Sequence, residues 1–371
     1  MELLPVLDPL DTPKEGIWYS LIPRGRAPGV SVGHTCTFYS SGNREKGKIL
    51  IVGGANPSGS FSNTFIINLD THEWDIPEWE GLDARYEHCS FVPERCPHSL
   101  WLFGGAHQSG NLQCIQKIQL NENKPSWQTV SVSGKIPSAR TYHTNSACVG
   151  DRLFVFSGGE AGTMPVLDSQ LNIFDTRSLT WSQPETRGTP PPAQHGHIVV
   201  AVGSRIFIHG GMAGEKFFSD LFALDTGTMS WEQIRTKGDI PPAVAAHAAV
   251  ALDRHIYVFG GMTAGGASNF MYRFNTGTCV TNQTWFLSTE ILKYPFFFFT
   301  FSDNDYWTKM KFEGDLPPNR LDHSMCLVPW KVSEKTEDGQ QDTKTKHLAF
   351  VFGGMDTQGV IHNDCIVTVL T

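Results

Sequence analysis

The sequence predicts an all-β chain folded as a six-bladed propeller of four-stranded antiparallel blades. Two observations lead to this fold class. A short apolar run that ends in a glycine pair occurs six times, and a tryptophan precedes a histidine at a nearly fixed distance six times. Self-similarity at a period of about 50 residues is typical of propellers and arrays of small sheets.

The glycine pair is the clearer repeat. A short apolar run stopped by Gly-Gly indicates a buried strand that ends in a turn, because glycine adopts positive φ without a Cβ clash. The first five copies follow one another at 51, 54, 52 and 50 residues. The six copies are KILIVGG (48–54), SLWLFGG (99–105), RLFVFSGG (152–159), RIFIHGG (205–211), HIYVFGG (255–261) and LAFVFGG (348–354).

The tryptophan and histidine form an independent repeat. Each glycine pair is followed by a further strand, then by a tryptophan that opens the last strand, and a histidine begins the next unit. The distance is 14 residues for Trp74/His88 and 16 residues for Trp18/His34, Trp127/His143, Trp181/His197, Trp231/His247 and Trp307/His323. Because the histidines recur at equivalent places, we expect a structural role for them rather than a metal site.

The two ends of the chain complement each other. Residues 1–16 are predicted to be an irregular segment, and IWYSLI at 17–22 matches the last strand of a blade that lacks its earlier strands. The C-terminal residues supply early strands and stop before any tryptophan. We therefore predict that 17–371 form one propeller in which the N-terminal strand completes the sixth blade and pairs its open edge.

Two insertions interrupt the repeat. Residues 279–304 in blade five include KYPFFFFTFS. This run is open to three interpretations: a translated intron, a loop that inserts into a membrane or a partner, or a loop folded back onto the propeller. Residues 331–346 in blade six are charged and predict a disordered loop.

Composition and charge exclude several classes of function and location. A net charge of -8 argues against general affinity for nucleic acid or anionic lipid. The N-terminus lacks the pattern of a secretory signal, and no 18-residue apolar run is present to span a membrane. The eight cysteines have no C-x-x-C pairing, which favours reduced packing residues. We expect a cytoplasmic, monomeric protein.

The ordered motif of R-x-x-H, apolar strand, Gly-Gly, apolar strand and Trp resembles the kelch repeat over nearly the whole chain. Kelch propellers include enzymes, but the unique residues here provide no recognisable catalytic or metal-ligand set. We therefore predict a non-enzymatic binding scaffold without a cofactor, since blade loops present broad surfaces on a rigid frame.

Two groups of residues are candidates for the binding surface. The motif arginine is present as Arg85, Arg140 and Arg320, and Arg24 and Arg26 precede blade one; it is replaced by Ser31, Gln194 and Val244. Such arginines could pair with carboxylates of a partner, or could bond only to neighbouring loop carbonyls. The second group follows the glycine pairs and comprises Asn56, His107, Glu160 and Glu215.

The run of motifs, including IVGGANPSGSFSN, FGGAHQSGN, FIHGGMAG and PPNRLDHSMCLVPW, is similar to the family of kelch-repeat effectors of late-endosomal Rab GTPases. That resemblance implies binding of a GTP-loaded Rab GTPase, with other trafficking proteins as further partners. It also implies peripheral association with endosomal membranes and a role in returning mannose-phosphate receptors to the trans-Golgi network. The alternative is a substrate-recognition module of a ubiquitin ligase or another adaptor complex.

Overall fold

The computed structural model describes residues 3–42, 45–141, 147–277, 304–335 and 341–371. Its strands form six sheets of four antiparallel strands, and these six blades confirm the predicted propeller. In blades one to five, consecutive strands pair in chain order, and the first strands pack against those of adjacent blades around the central axis. Two further short strands, Ser133–Gly134 and Lys237–Gly238, pair in parallel with the outer strands of blades three and five.

The first three blades follow the repeat closely. Blade one consists of Thr35–Tyr39, Lys48–Val52, Thr64–Asn68 and Glu73–Asp75. Blade two consists of Cys89–Phe91, Ser99–Phe103, Ile115–Gln119 and Gln128–Val130. Blade three consists of Ala147–Val149, Arg152–Phe156, Leu171–Asp175 and Thr180–Ser182.

The last three blades have longer or interrupted strands. Blade four consists of His195–Val202, Arg205–Ala213, Leu221–Asp225 and Ser230–Gln233. Blade five consists of Ala248–Leu252, His255–Phe259, Met271–Asn275 and Tyr306–Lys309. Blade six consists of Ser324–Lys335, Gln341–Phe352, Cys365–Val369 and the N-terminal strand Trp18–Leu21.

The N-terminal strand closes the ring, as the sequence predicts. It pairs antiparallel with Cys365–Val369 in a register that places Trp18 opposite Thr368 and Leu21 opposite Cys365. The preceding irregular segment packs against this strand: the Leu7 N–H donates to the Ser20 carbonyl at 2.9 Å, and the Leu7 side chain is buried. Both ends of the chain therefore contribute to one core.

The repeated tryptophan packs one blade onto the previous one. Trp181 of blade three lies 4.8 Å from Phe103 of blade two, measured between ring centroids, and Trp18 lies 4.9 Å from Phe259. In each pair the phenylalanine ends a second strand and the tryptophan sits in the fourth strand of the next blade. Aromatic rings fill this space because they bury large areas between two sheets.

The second glycine of the pair donates its backbone N–H to a backbone carbonyl of the next blade. The Gly54 N–H donates to the Arg85 carbonyl at 2.8 Å, and the Gly261 N–H donates to the Arg320 carbonyl at 2.8 Å. A Cβ on Gly53, whose φ is 66°, would lie 2.5 Å from the Arg85 carbonyl oxygen. This close approach explains why the motif needs glycine at this turn.

Blade three differs from the sequence pattern by one residue. Its RLFVFSGG run suggests Gly158 and Gly159 as the pair, but the N–H that contacts the next blade belongs to Gly158, which bonds the Gln194 carbonyl at 3.0 Å. Ser157 therefore takes the first position of the turn, with a φ of 53°. A non-glycine residue adopts this left-handed conformation at a cost that the surrounding bonds must offset.

The two predicted insertions have different outcomes. Residues 278–303 lie outside the described residues, and with them all but one residue of the 279–304 insertion. They separate the paired strands Met271–Asn275 and Tyr306–Lys309. The predicted disordered loop 331–346 instead continues two paired strands on either side of 336–340, which are not described. Val332 is buried in the adjoining core. Because its neighbours in the sequence are mostly charged or polar, the composition of this stretch did not indicate a buried strand residue.

Candidate functional site

Four predicted binding residues lie on equivalent hairpins of consecutive blades. Each hairpin joins the second and third strands of its blade. Asn56 and His107 are half-buried, and Glu160 and Glu215 are exposed. We call this surface the hairpin face, and its paired segments are Ala55–Asn56 with Gly59–Ser60, Ala106–His107 with Gly110–Asn111, Gly159–Ala161 with Met164–Pro165, and Ala213 with Lys216.

Adjacent hairpins are bonded to each other. The Asn111 side-chain amide donates to the Glu160 carbonyl at 2.8 Å, which connects blade two to blade three. The Gly214 N–H donates to the Thr163 carbonyl at 2.9 Å, which connects blade four to blade three. These bonds order the hairpin face before any partner arrives, which lowers the entropy cost of binding.

The polar side chains of the hairpin face have two roles. Asn56 and His107 shape their own hairpins, since Asn56 Oδ1 accepts the Ser58 N–H and His107 Nδ1 accepts the Ser109 N–H, both at 2.8 Å. Glu160 and Glu215 instead project carboxylates into solvent. The structure thus brings the four residues to one face, but only the two glutamates present an exposed charge there.

Apolar side chains add to this surface at blade three. Met164 is 53% exposed, and Leu167, which follows the same hairpin, is 80% exposed. Exposed apolar side chains beside charged ones are typical of sites that bind proteins. In blade four the apolar residue Phe218 turns inward and is buried.

Arg24 and Arg26 are exposed at the outer edge of blade one. The Arg24 backbone bridges to Glu73 of the outermost strand, and its guanidinium lies 3.0 Å from the Glu73 carboxylate. The Arg24 side chain also donates to the Thr71 carbonyl at 3.2 Å. A partly exposed ion pair of this kind contributes little to stability, so both arginines remain candidates for contact with a partner.

The other three predicted arginines do not lie on a binding surface and follow the second alternative, since they bond to groups of neighbouring loops. Arg85, Arg140 and Arg320 are each 0% exposed. Each donates Nη1 to the carbonyl of the first turn residue of its own blade, at 3.2, 3.1 and 3.0 Å respectively. Because burying a guanidinium is costly unless it is fully bonded, these side chains fix the entry loop of their own blade and are not available to a partner. The backbone carbonyl of each arginine accepts a glycine N–H of the preceding blade, so the loop forms the joint between blades.

A buried histidine pair was not predicted. His209 stands where four other blades carry phenylalanine, and its Nδ1 lies 3.1 Å from Nε2 of His247, the motif histidine of blade five. Both rings are fully buried. The motif histidines His34 and His197 instead bond the backbone carbonyls of Phe352 and Phe156, both at 3.1 Å, and His88 bonds the Thr35 hydroxyl at 3.0 Å. The sequence signal that could have indicated this pair was His209 itself, a polar residue at the end of the apolar run RIFIH.

We expect acid to destabilise the fold through these histidines. Burial lowers the pKa of His34 and of His209 to about 4, against an ordinary value of 6.5. The unfolded chain therefore takes up protons between pH 6.5 and 4 that the folded chain does not, and stability falls as the pH falls through this range. Each such histidine lowers the free energy of unfolding by about 3 kcal/mol between neutral pH and pH 4.

Thermal unfolding of a His209→Phe variant between pH 7 and 4 tests this expectation. Phenylalanine occupies the same position in blades two, three, five and six, so the joint should accept it. The variant should lose less stability on acidification than the parent protein. A parallel acid response of parent and His209→Phe would contradict the assignment.

A cavity lies on the axis of the ring. It has a volume of about 400 Å³ and is lined by first-strand side chains of several blades, including Thr37, Ser90 and Leu327. Over the described residues, no three histidine, cysteine or acidic side chains converge as metal ligands. In the same part of the chain, no helix is long and apolar enough to cross a membrane.

Comparison with known proteins agrees with this architecture. The sequence model of the KLHDC2/KLHL20/DRC7 Kelch-repeats domain matches residues 33–261 and 165–326. The "Rab9 effector protein with kelch motifs" of Danio rerio is 58% identical over 380 residues, which cover 100% of both chains. The proteins with the same name from Xenopus laevis and Homo sapiens are 51% and 49% identical, again over 100% of both chains. The chain therefore belongs to the kelch-repeat family of β-propellers and is related over its whole length to the Rab9 effector proteins with kelch motifs.

Proposed function

We propose that this protein is a non-enzymatic scaffold that binds a Rab GTPase of the Rab9 type in its GTP-loaded form. Through that contact it assists the return of mannose-phosphate receptors from endosomes to the trans-Golgi network. It resides in the cytoplasm and associates peripherally with endosomal membranes through its partner. The observation that carries the proposal is the 58% identity, across both complete chains, to a relative named as a Rab9 effector.

The hairpin face is the surface that fits this role best. It is ordered by bonds between neighbouring hairpins and combines exposed carboxylates with the exposed Met164. A partner that offers basic and apolar side chains would match this combination. Arg24 is bonded to Thr71 and Glu73 at the end of blade one opposite to its hairpin, so Arg24 and the exposed Arg26 are a separate candidate surface of opposite charge.

Capture on the immobilised GTPase, loaded with a non-hydrolysable GTP analogue or with GDP, tests the proposal. We expect the full chain to be retained at least about tenfold better by the GTP form, because an effector draws its specificity from that conformation. Equal capture by both forms, or capture by neither, would reject the effector role.

Two charge reversals then test the surface. Glu160→Arg combined with Glu215→Arg should weaken binding to the GTP form by about tenfold, since like charges would meet across the contact. Glu94→Arg combined with Glu122→Arg is the control, because both glutamates are exposed in turns of blade two at the end opposite the hairpins and the change in net charge is the same. Equal weakening by the control would show that net charge matters and not the hairpin face.

A further inference from the structure

The three buried arginines share one bonding pattern. Each donates Nε to the carbonyl of the residue two positions earlier, at 3.2, 3.0 and 3.3 Å. Each donates Nη1 to the carbonyl of the first turn residue in its own blade. A polar side chain near the third strand of that blade then accepts from the remaining nitrogens. The arginines, with these side chains, are Arg85 with Gln116, Arg140 with Asp168, and Arg320 with Asp364.

Blade one has the same receptacle without the arginine. Ser31 precedes His34 by three positions, as Arg85 precedes His88, and it stands in the arginine position. The carbonyls equivalent to the two backbone acceptors belong to Gly29 and Gly53. At the third-strand position, Asn63 corresponds to Cys114, whose sulfur lies 3.3 Å from Arg85 Nη2.

A cavity occupies the place of the missing side chain. Its volume is about 260 Å³, and Gly29, Ser31, Gly53 and Asn63 all line it. Phe61 and Phe65 supply aromatic walls. Because Asn56 of the hairpin face also lines the cavity, and Gly29 and Asn63 are exposed, the space can be reached from outside.

We propose that this cavity is an empty arginine socket, which binds the guanidinium of an arginine presented by a loop or terminus of a partner protein. The occupant is indicated by the molecule itself, since the same backbone frame holds an arginine in three other blades. The inference goes beyond the proposed GTPase binding, because it specifies the side chain that enters and not the protein that carries it.

Neutral oxygens accept the shortest hydrogen bonds from the guanidinium at blade two. At blade two, Arg85 is bonded by the carbonyls of Asp83 and Gly104 and by the Gln116 amide oxygen at 2.6 Å, and the Asp83 carboxylate is 3.6 Å away and half-exposed. The socket of blade one offers the carbonyls of Gly29 and Gly53 and the Asn63 side chain, which directly precedes its third strand as Asp364 precedes that of blade six; Phe65 stands at the position of Gln116. The phenylalanine rings of the socket can add cation–π attraction to the bound group.

Filling the socket from within provides the first test. Ser31 is only 5% exposed, so a long side chain at this position would ordinarily disrupt packing. If the space is an arginine socket, Ser31→Arg should melt at or above the temperature of the parent protein. It should also melt at least about 3 °C above Ser31→Met, which has similar length but no donors. A Ser31→Arg protein that melts below Ser31→Met would overturn the proposal.

Binding of short peptides provides the second test. Acetyl-Gly-Arg-Gly-amide should produce saturable chemical-shift changes in the parent protein at millimolar concentration, as expected for one anchored side chain. The matched peptides with lysine or leucine should bind at least about fivefold more weakly, because neither presents the planar fork of donors.

The binding must also depend on the empty socket. Ser31→Arg should abolish the saturable response, whereas Ser58→Arg, which adds the same charge at an exposed position of the same hairpin, should retain it. Failure of the arginine peptide to saturate, equal binding of the lysine or leucine peptide, or binding that persists in Ser31→Arg would each overturn the proposal. None of these outcomes depends on whether the GTPase is captured.

Discussion

Deletion of residues 1–24 should lower the melting temperature by about 10 °C or more, or prevent folding altogether. The deletion removes the outer strand of blade six and with it the buried side chains of Leu7, Trp18 and Leu21. Burial of a large apolar side chain stabilises a fold by about 1.5–3 kcal/mol, so their combined loss approaches the whole stability of a typical domain. The newly exposed edge of Cys365–Val369 would also invite aggregation.

Two measurements separate closure of the ring from a general effect of shortening the chain. Deletion of residues 1–3 removes Leu3, whose side chain is 94% exposed, and should leave the melting curve unchanged. A synthetic peptide of residues 1–24, added to the shortened protein, should restore part of the lost stability by pairing with the open edge. A shortened protein that melts like the parent would refute the role assigned to this strand.

The fold could be predicted because the motif residues meet across blade joints. Glycine turns contact the backbone of the following blade, and the tryptophans pack on the strand end of the preceding blade, as Trp181 does on Phe103 and Trp307 does on His209. Contacts that recur at most joints leave a recurring sequence pattern, so blade number and closure follow from counting. The replacement of the first glycine by Ser157 escaped this count because the backbone conformation, and not the residue type, defines the turn.

The candidate site was predicted less well, and the arginines show why. Sequence spacing places Arg85 and Arg24 both near the beginning of a blade, but it does not show which way a long side chain points. Arg85 turns into the joint and is fully buried, whereas Arg24 remains exposed beside Glu73. The hairpin residues were easier to place, since any residue directly after the turn lies at the end of its blade.

The empty socket could not be predicted from the sequence for a related reason. Replacement of the motif arginine by Ser31, Gln194 and Val244 looks the same in all three blades. The outcome depends on the volume and neighbours of each substitute, and Gln194 and Val244 are both buried in their own joints. Only coordinates reveal that the short side chain of Ser31 leaves a cavity in which the acceptors of the frame persist.

Replacement of Arg320 by methionine should destabilise the protein by about 3–5 kcal/mol, measured as a shift of the urea unfolding midpoint. Burial alone would raise the pKa of Asp364, but the hydrogen bonds and charge of Arg320 lower it below its ordinary value. Methionine would fill much of the space and leave this carboxylate without its two bonds of 2.8 and 2.9 Å. The Gly353 carbonyl, 3.0 Å from Arg320 Nη1, would lose its donor as well.

The same argument predicts two companion results. Adding Asp364→Asn to Arg320→Met should recover part of the loss, because an amide costs less to bury unpaired than a carboxylate. Arg24→Met should change stability by less than about 1 kcal/mol, since the Arg24 side chain is 74% exposed and its pairing with Glu73 is screened by solvent. Equal losses for Arg320→Met and Arg24→Met would contradict the division between arginines that join blades and arginines available to a partner.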